Sequence, residues 1–120
     1  MDALRGLGDE ENGYLTTTGR RTGKPHTIEI WFAAAPDRPT LYMLAGGGDG
    51  ADWVRNIRQQ AAVTMRLGDR IFAGRGRVVT DSEEDRLARR VVVKKYYGRD
   101  EVQSEGWEAE ALPIAIDIEA

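Results

Sequence analysis

The sequence predicts a mainly β fold, in which six antiparallel strands roll into a small barrel with helices on its outside. Short segments of alternating apolar and polar residues recur along the 120-residue chain, and Gly and Pro gather between them. These segments lie too close together for the crossover connections that parallel strands require. Only two stretches carry helical periodicity, one after the third strand and one before the last. The same spacing excludes a doubly wound nucleotide fold, so Gly46-Gly47-Gly48 is not a dinucleotide fingerprint. One domain spanning residues 1–120 is expected. Residues 1–12, glycine-rich and anchored only by Leu4 and Leu7, would form a loosely attached arm.

The first strand falls over Tyr14 to Thr18, where β-branched and aromatic side chains favour extended backbone. Gly19, Gly23 and Pro25 punctuate the next connection. In the second strand, Thr27 to Phe32, Ile28, Ile30 and Phe32 share one face while Thr27, Glu29 and Trp31 share the other. Asp37-Arg38-Pro39 turns the chain into a third strand, Thr40 to Ala45. A short helix follows from Asp49 or Gly50 to Gln59, capped by Asp49, with Trp53, Val54 and Ile57 on one face. Ala62 to Leu67 and Ile71 to Val79 form a hairpin across Gly68-Asp69, and Gly74 and Gly76 mark a bulge or barrel bend. Thr80-Asp81-Ser82-Glu83-Glu84 offers capping residues for a longer helix to about Tyr97, with acids first, Lys94 and Lys95 last, and Gly98 as its stop. Val91-Val92-Val93 is mediocre helix material, a cost that burial overrides. The last strand is Leu112 to Ile118, with Pro113 at its start or on an edge.

Composition narrows the chemistry. Seventeen basic against twenty acidic residues argue against a duplex-DNA binder held by a basic face. No apolar run reaches the length of a membrane span, and Met-Asp-Ala-Leu-Arg-Gly lacks the pattern of a signal peptide, so a cytoplasmic protein is expected. Without cysteine there is no thiolate nucleophile or cysteine metal site, and with His26 as the one histidine a metal site built from histidines is excluded. An enzyme with this composition would take its difficult chemistry from a bound organic cofactor.

The connection between the first two strands carries Arg20, Arg21 and Lys24 with hydroxyl neighbours such as Thr22, and an anion would offset their mutual repulsion. A solvated surface turn is the competing reading. The loop Gly46-Gly47-Gly48 lets backbone approach a ligand closely, or serves only as a connection. Trp53 reads first as a core anchor, and Asn56 one turn later either bonds the preceding loop or is solvated. Arg86, Arg89 and Arg90 form the wet face of the longer helix. Tyr96, Tyr97 and Trp107 either line a pocket or close the core.

Leu15 to Pro25, the glycine loop, and Asp52-Trp53-Val54-Arg55-Asn56-Ile57-Arg58 together resemble the deazaflavin-dependent nitroreductase and quinone-reductase family over about Tyr14 to Ile118. Trp107 and Leu112-Pro113-Ile114 match its closing segment more loosely. The resemblance implies a split β-barrel of the pyridoxamine-phosphate-oxidase-like, FMN-binding type, and the deazaflavin coenzyme F-420 as hydride donor to quinones, nitroaromatics or other electrophiles. It implies that Arg20, Arg21, Thr22 and Lys24 hold the coenzyme's phosphate and acidic tail. His26 stands where relatives commonly carry arginine, replacing a permanent cation by a group that titrates near neutrality. Ile28 and Trp31 would face the ring system, and Ala45, Gly46, Gly47, Gly48, Trp53 and Asn56 would frame its pyrimidine end. Tyr96 and Tyr97 cover one of the family's substrate-pocket tyrosines and are the candidate proton donors. The alternatives are FMN on the same barrel, or a non-catalytic carrier. The partners expected are the coenzyme and an electron acceptor. A monomer and a homodimer both fit, as does peripheral contact with a membrane.

Overall fold

The computed structural model describes residues 6–119, so Leu4 lies outside the described residues. The strands are β1 (Gly13–Thr18), β2 (Pro25–Ile30), β3 (Ala33–Ala34), β4 (Thr40–Ala45), β5 (Ala62–Leu67), β6 (Arg70–Val78) and β7 (Leu112–Ile118). The helices are α1 (Asp52–Gln59), preceded by a single 3-10 turn at Gly48–Gly50, α2 (Ser82–Tyr97) and the four-residue α3 (Trp107–Glu110). Among the described residues no helix is long and apolar enough to cross a membrane.

The strands form one antiparallel sheet in the order β2-β1-β5-β6-β7-β4-β3. Only Trp31 and Phe32 separate β2 from β3, yet these strands occupy opposite edges. The sheet must therefore curl until its edges approach across those two residues, which is the geometry of a split barrel. The strand count is seven where the periodicity gave six: β2 ends at Ile30, short of the expected Phe32, and Ala33–Ala34 pairs with β4 as a separate strand across this seam. The cause is long-range. The Phe32 N–H donates to the Tyr96 hydroxyl at 2.9 Å, and the Phe32 carbonyl accepts from Lys95 Nζ at 2.7 Å, so α2 satisfies a peptide that a continuous strand would have paired with a neighbour. The Tyr96 hydroxyl also lies 2.8 Å from the carbonyl of Glu11, and Leu7 packs against the core.

Leu15, Met43, Met65, Ile114 and Ile116 fill the barrel, with Val54 and Ile57 of α1 packed against them. A second cluster, Tyr42, Leu44, Val79, Ala88, Val92 and Ala115, lies between the sheet and α2. Alternating residues of β4 serve the two clusters, which is why all six are buried. Val92 and Val93 are fully buried, the compensation that the helix propensities require. The β5 and β6 register runs without interruption, so Gly74 and Gly76 do not form a bulge. They allow close approach instead. A Cβ on Gly76 would come within 2.9 Å of Ile57, and one on Gly74 within 2.9 Å of the Asp117 carbonyl.

α2 is capped as its sequence predicts, the Asp81 side chain accepting from the Glu84 N–H at 2.9 Å and Gly98 ending it at φ 72°. α1 differs. Ala51 is its cap, and the Asp49 carboxylate pairs with Arg58 at 2.6 Å. A network joins β4, β6, β7 and α2. Arg77 donates to Glu84 at 2.6 and 2.8 Å and to Asp117 at 2.7 and 3.2 Å, Tyr42 donates to Glu84 at 2.7 Å, and Thr40 donates to Asp117 at 2.8 Å. Hydrogen bonds from Arg77 hold both carboxyls below their usual range, whereas burial pushes Tyr42 up to about 12.

Candidate functional site

The β1–β2 connection is a tight, self-bonded loop. The Gly19 N–H donates to the Lys24 carbonyl at 2.7 Å and the Gly23 N–H to the Gly19 carbonyl at 2.8 Å, with Gly23 at φ 74°. The imidazole of His26 lies so close over Gly19 that a Cβ there would stand 2.6 Å from Nε2. The loop leans on α1 through Asn56, which is 3% exposed. Its Oδ1 accepts from the Arg20 backbone N–H at 3.2 Å and from Arg20 Nη1 at 3.0 Å, and its Nδ2 donates to Thr17 Oγ1 at 3.1 Å. Arg20 Nη2 donates to Asp52 Oδ1 at 3.2 Å.

Between the loop and α1 runs a groove of about 460 Å³. Arg20, Arg21 and His26 supply its basic wall, Thr17, Thr22 and Thr27 its hydroxyls, and Ile28 and Trp53 its apolar surface. Asp52 and Asn56 complete it on the α1 side, and Gly19 on the loop side. A second feature lies at the barrel seam. The Trp31 ring stacks on Tyr96 with centroids 4.1 Å apart and planes within 3°, while Tyr97 and Trp107 meet it edge-on at 6.1 Å. Trp31 is 39% and Tyr97 47% exposed. Trp107 rests on Gly46, where an added Cβ would lie 3.3 Å from the indole.

Of the residues singled out from sequence, Arg20, Arg21, Thr22, His26, Ile28, Trp53 and Asn56 come together in the groove. Trp31, Tyr96 and Tyr97 come together in the aromatic cluster. Lys24 is exposed on the loop outside the groove lining, Ala45 is buried inside the barrel, and Gly46 to Gly48 form the loop beside Trp107. The Tyr96 hydroxyl is engaged by backbone groups, and burial raises its pKa. Sequence reasoning did not single out Asp52, Thr17, Gly19 or Thr27 as site residues. The available signal for Asp52 was its place directly before Trp53 in the helix motif.

The F420H2-dependent quinone reductase family matches residues 5–119. The chain belongs to that family. This reductase is therefore an oxidoreductase that uses the deazaflavin coenzyme F-420. Among solved structures it resembles a conserved hypothetical protein from Mycobacterium tuberculosis at 17% identity, TM-score 0.79, covering 99% of this chain and 79% of that one. It resembles an F420-H2 dependent reductase at 18% identity, TM-score 0.63, covering 89% and 94%. A protein from Listeria innocua proposed to be a pyridoxamine 5'-phosphate oxidase matches at 18% identity, TM-score 0.72, covering 99% and 92%. These likenesses establish the split-barrel fold of the reductase. A comparison with curated protein sequences gives no match. The groove's donors fit the coenzyme chemically: arginines and hydroxyls suit phosphate and carboxylate oxygens, and Ile28 and Trp53 suit a planar ring.

Proposed function

We propose that the groove binds F-420 and that the reductase delivers a hydride from the reduced coenzyme to an electron-poor acceptor, a quinone or a nitroaromatic. The observation that carries this reading is the groove itself, basic at Arg20, Arg21 and His26 and apolar at Ile28 and Trp53. The coenzyme when bound supplies the hydride. The protein's residues bind, orient and exclude water. Arg20 and Arg21 hold the phosphate with Thr22, Lys24 receives the acidic tail, and the acceptor lies against the exposed aromatic surface of Trp31, Tyr97 and Trp107. Tyr96 acts by placement: its hydroxyl holds the Phe32 backbone and its ring supports Trp31. The proton for the acceptor then comes from water or from Tyr97. The reading places the protein in the cytoplasm as one domain over residues 1–120, monomeric or dimeric, with peripheral membrane contact as its route to a lipid-soluble quinone.

The test is to titrate the protein with F-420 and with FMN by tryptophan quenching, and then follow oxidation of reduced F-420 against a panel of quinones and nitroaromatics. Binding of F-420 in preference to FMN, with turnover of at least one acceptor class, supports the reading. Binding without turnover makes the protein a carrier, and a preference for FMN moves it to flavin chemistry on the same barrel.

A further inference from the structure

A groove that holds an anion gains nothing in affinity from a carboxylate in its wall, yet Asp52 lines it and pairs with Arg20 Nη2 at 3.2 Å. Packing does not force the carboxylate there, since its side chain is 82% exposed. Nor is it needed to place the guanidinium. Asn56 Oδ1 already accepts from both the Arg20 backbone N–H and Arg20 Nη1. What remains is its charge. With Arg20 and Arg21 against Asp52 in the lining, the groove's permanent charges sum to one positive.

That charge distinguishes two kinds of phosphate. Where it meets Arg20 and Arg21, the phosphodiester of F-420 carries one negative charge, the coenzyme's acidic tail being assigned to Lys24 outside the lining, whereas a terminal phosphomonoester such as that of FMN brings nearly two to the same place at neutral pH. We propose that Asp52 is a specificity-determining residue of the groove: paired with Arg20, it leaves a field matched to a monoanionic phosphodiester and disfavours a dianionic phosphomonoester. This rests on the reading that the groove holds the coenzyme's phosphate. A purely structural role for Asp52 at the first turn of α1, favourable to the helix dipole, would alter stability and leave the choice between ligands unchanged.

The experiment measures dissociation constants of F-420, FMN and riboflavin for the wild type, Asp52→Asn and Arg21→Ala by tryptophan quenching. Riboflavin shares the FMN ring and lacks the phosphate, so it isolates the charge. For an exposed carboxylate, Asp52→Asn is expected to tighten FMN about fivefold, F-420 by about twofold, and riboflavin not at all. The FMN gain should shrink as salt rises. An equal gain for F-420 and FMN, or none for FMN, overturns the proposal. Arg21→Ala separates the two levels of the argument. If it leaves F-420 binding intact, the groove reading fails and the proposal with it; if it weakens F-420 while Asp52→Asn stays unselective, the proposal alone fails.

Discussion

Arg77 directs its guanidinium at two carboxylates, Glu84 and Asp117, through four hydrogen bonds of 2.6 to 3.2 Å, and Tyr42 and Thr40 complete their shells. Arg20 meets one carboxylate, Asp52, at 3.2 Å and otherwise rests on the neutral carboxamide of Asn56. The first cluster ties strands to α2 and has little unanswered hydrogen-bonding capacity. The second is held by its neutral partner and opens onto a groove beside the exposed Arg21. The same residue type serves cohesion where its guanidinium is engaged by two carboxylates, and recognition where it meets one carboxylate and a neutral amide.

The contrast predicts opposite outcomes for two substitutions. Arg77→Ala leaves Glu84 with the Tyr42 hydroxyl and a 3.6 Å ion pair to Arg38 as its side-chain partners, and should cost about 2 kcal/mol of stability in chemical denaturation, with F-420 affinity nearly unchanged. Acid should probe the same cluster. Because Glu84 and Asp117 are held below their usual pKa range when folded, their contribution is present above that range and is lost as pH falls through it. Melting temperature should therefore drop on acidification, less steeply in Arg77→Ala; equal slopes would remove the network from the explanation.

Arg21→Ala should do the reverse, weakening F-420 about tenfold with the melting temperature unmoved, as expected for one charge-assisted contact on an exposed loop. Next in size is Tyr96→Phe. It leaves the Phe32 N–H at the seam without its hydroxyl partner, and a loss of about 1 kcal/mol with altered tryptophan emission is expected. Unchanged emission would show that the hydroxyl does not set the position of Trp31.

The smallest effect concerns Lys95, the other seam contact. Burial lowers its pKa from 10.5 to about 8, partly opposed by Asp9 and Glu10. The unfolded chain then holds more protons between those values, so stability should rise slightly with pH across that window, and Lys95→Met should flatten the rise.

What was legible in the sequence follows the range of the interactions. The hairpin across Gly68-Asp69, the Asp81 cap, the Gly98 stop and the faces of α1 depend on neighbours a few residues away, and local pattern records them. The break at Trp31–Phe32 depends on Lys95 and Tyr96 of α2, so β-propensity ran the strand straight through it. α3 was missed because four residues after Gly106, itself at φ 84°, carry too little periodicity to register. In the groove, the residue types of the basic loop pointed to an anion, but Arg20's inward turn depends on Asn56, distant in sequence. The bulge alternative for Gly74 and Gly76 failed for a similar reason, because Ile57 and the β7 backbone that crowd them lie on other elements.

The contact of Trp107 with Gly46 carries an evolutionary consequence. A Cβ at position 46 would lie 3.3 Å from the indole, so even serine requires the ring to shift by a few tenths of an ångström. The two positions are coupled: a larger residue at 46 is tolerated when the Trp107 ring shifts or 107 becomes smaller, and each substitution alters the effect of the other. Relatives that differ at one position should tend to differ at the other, and libraries that vary them singly will undercount the aromatic surfaces this barrel can support.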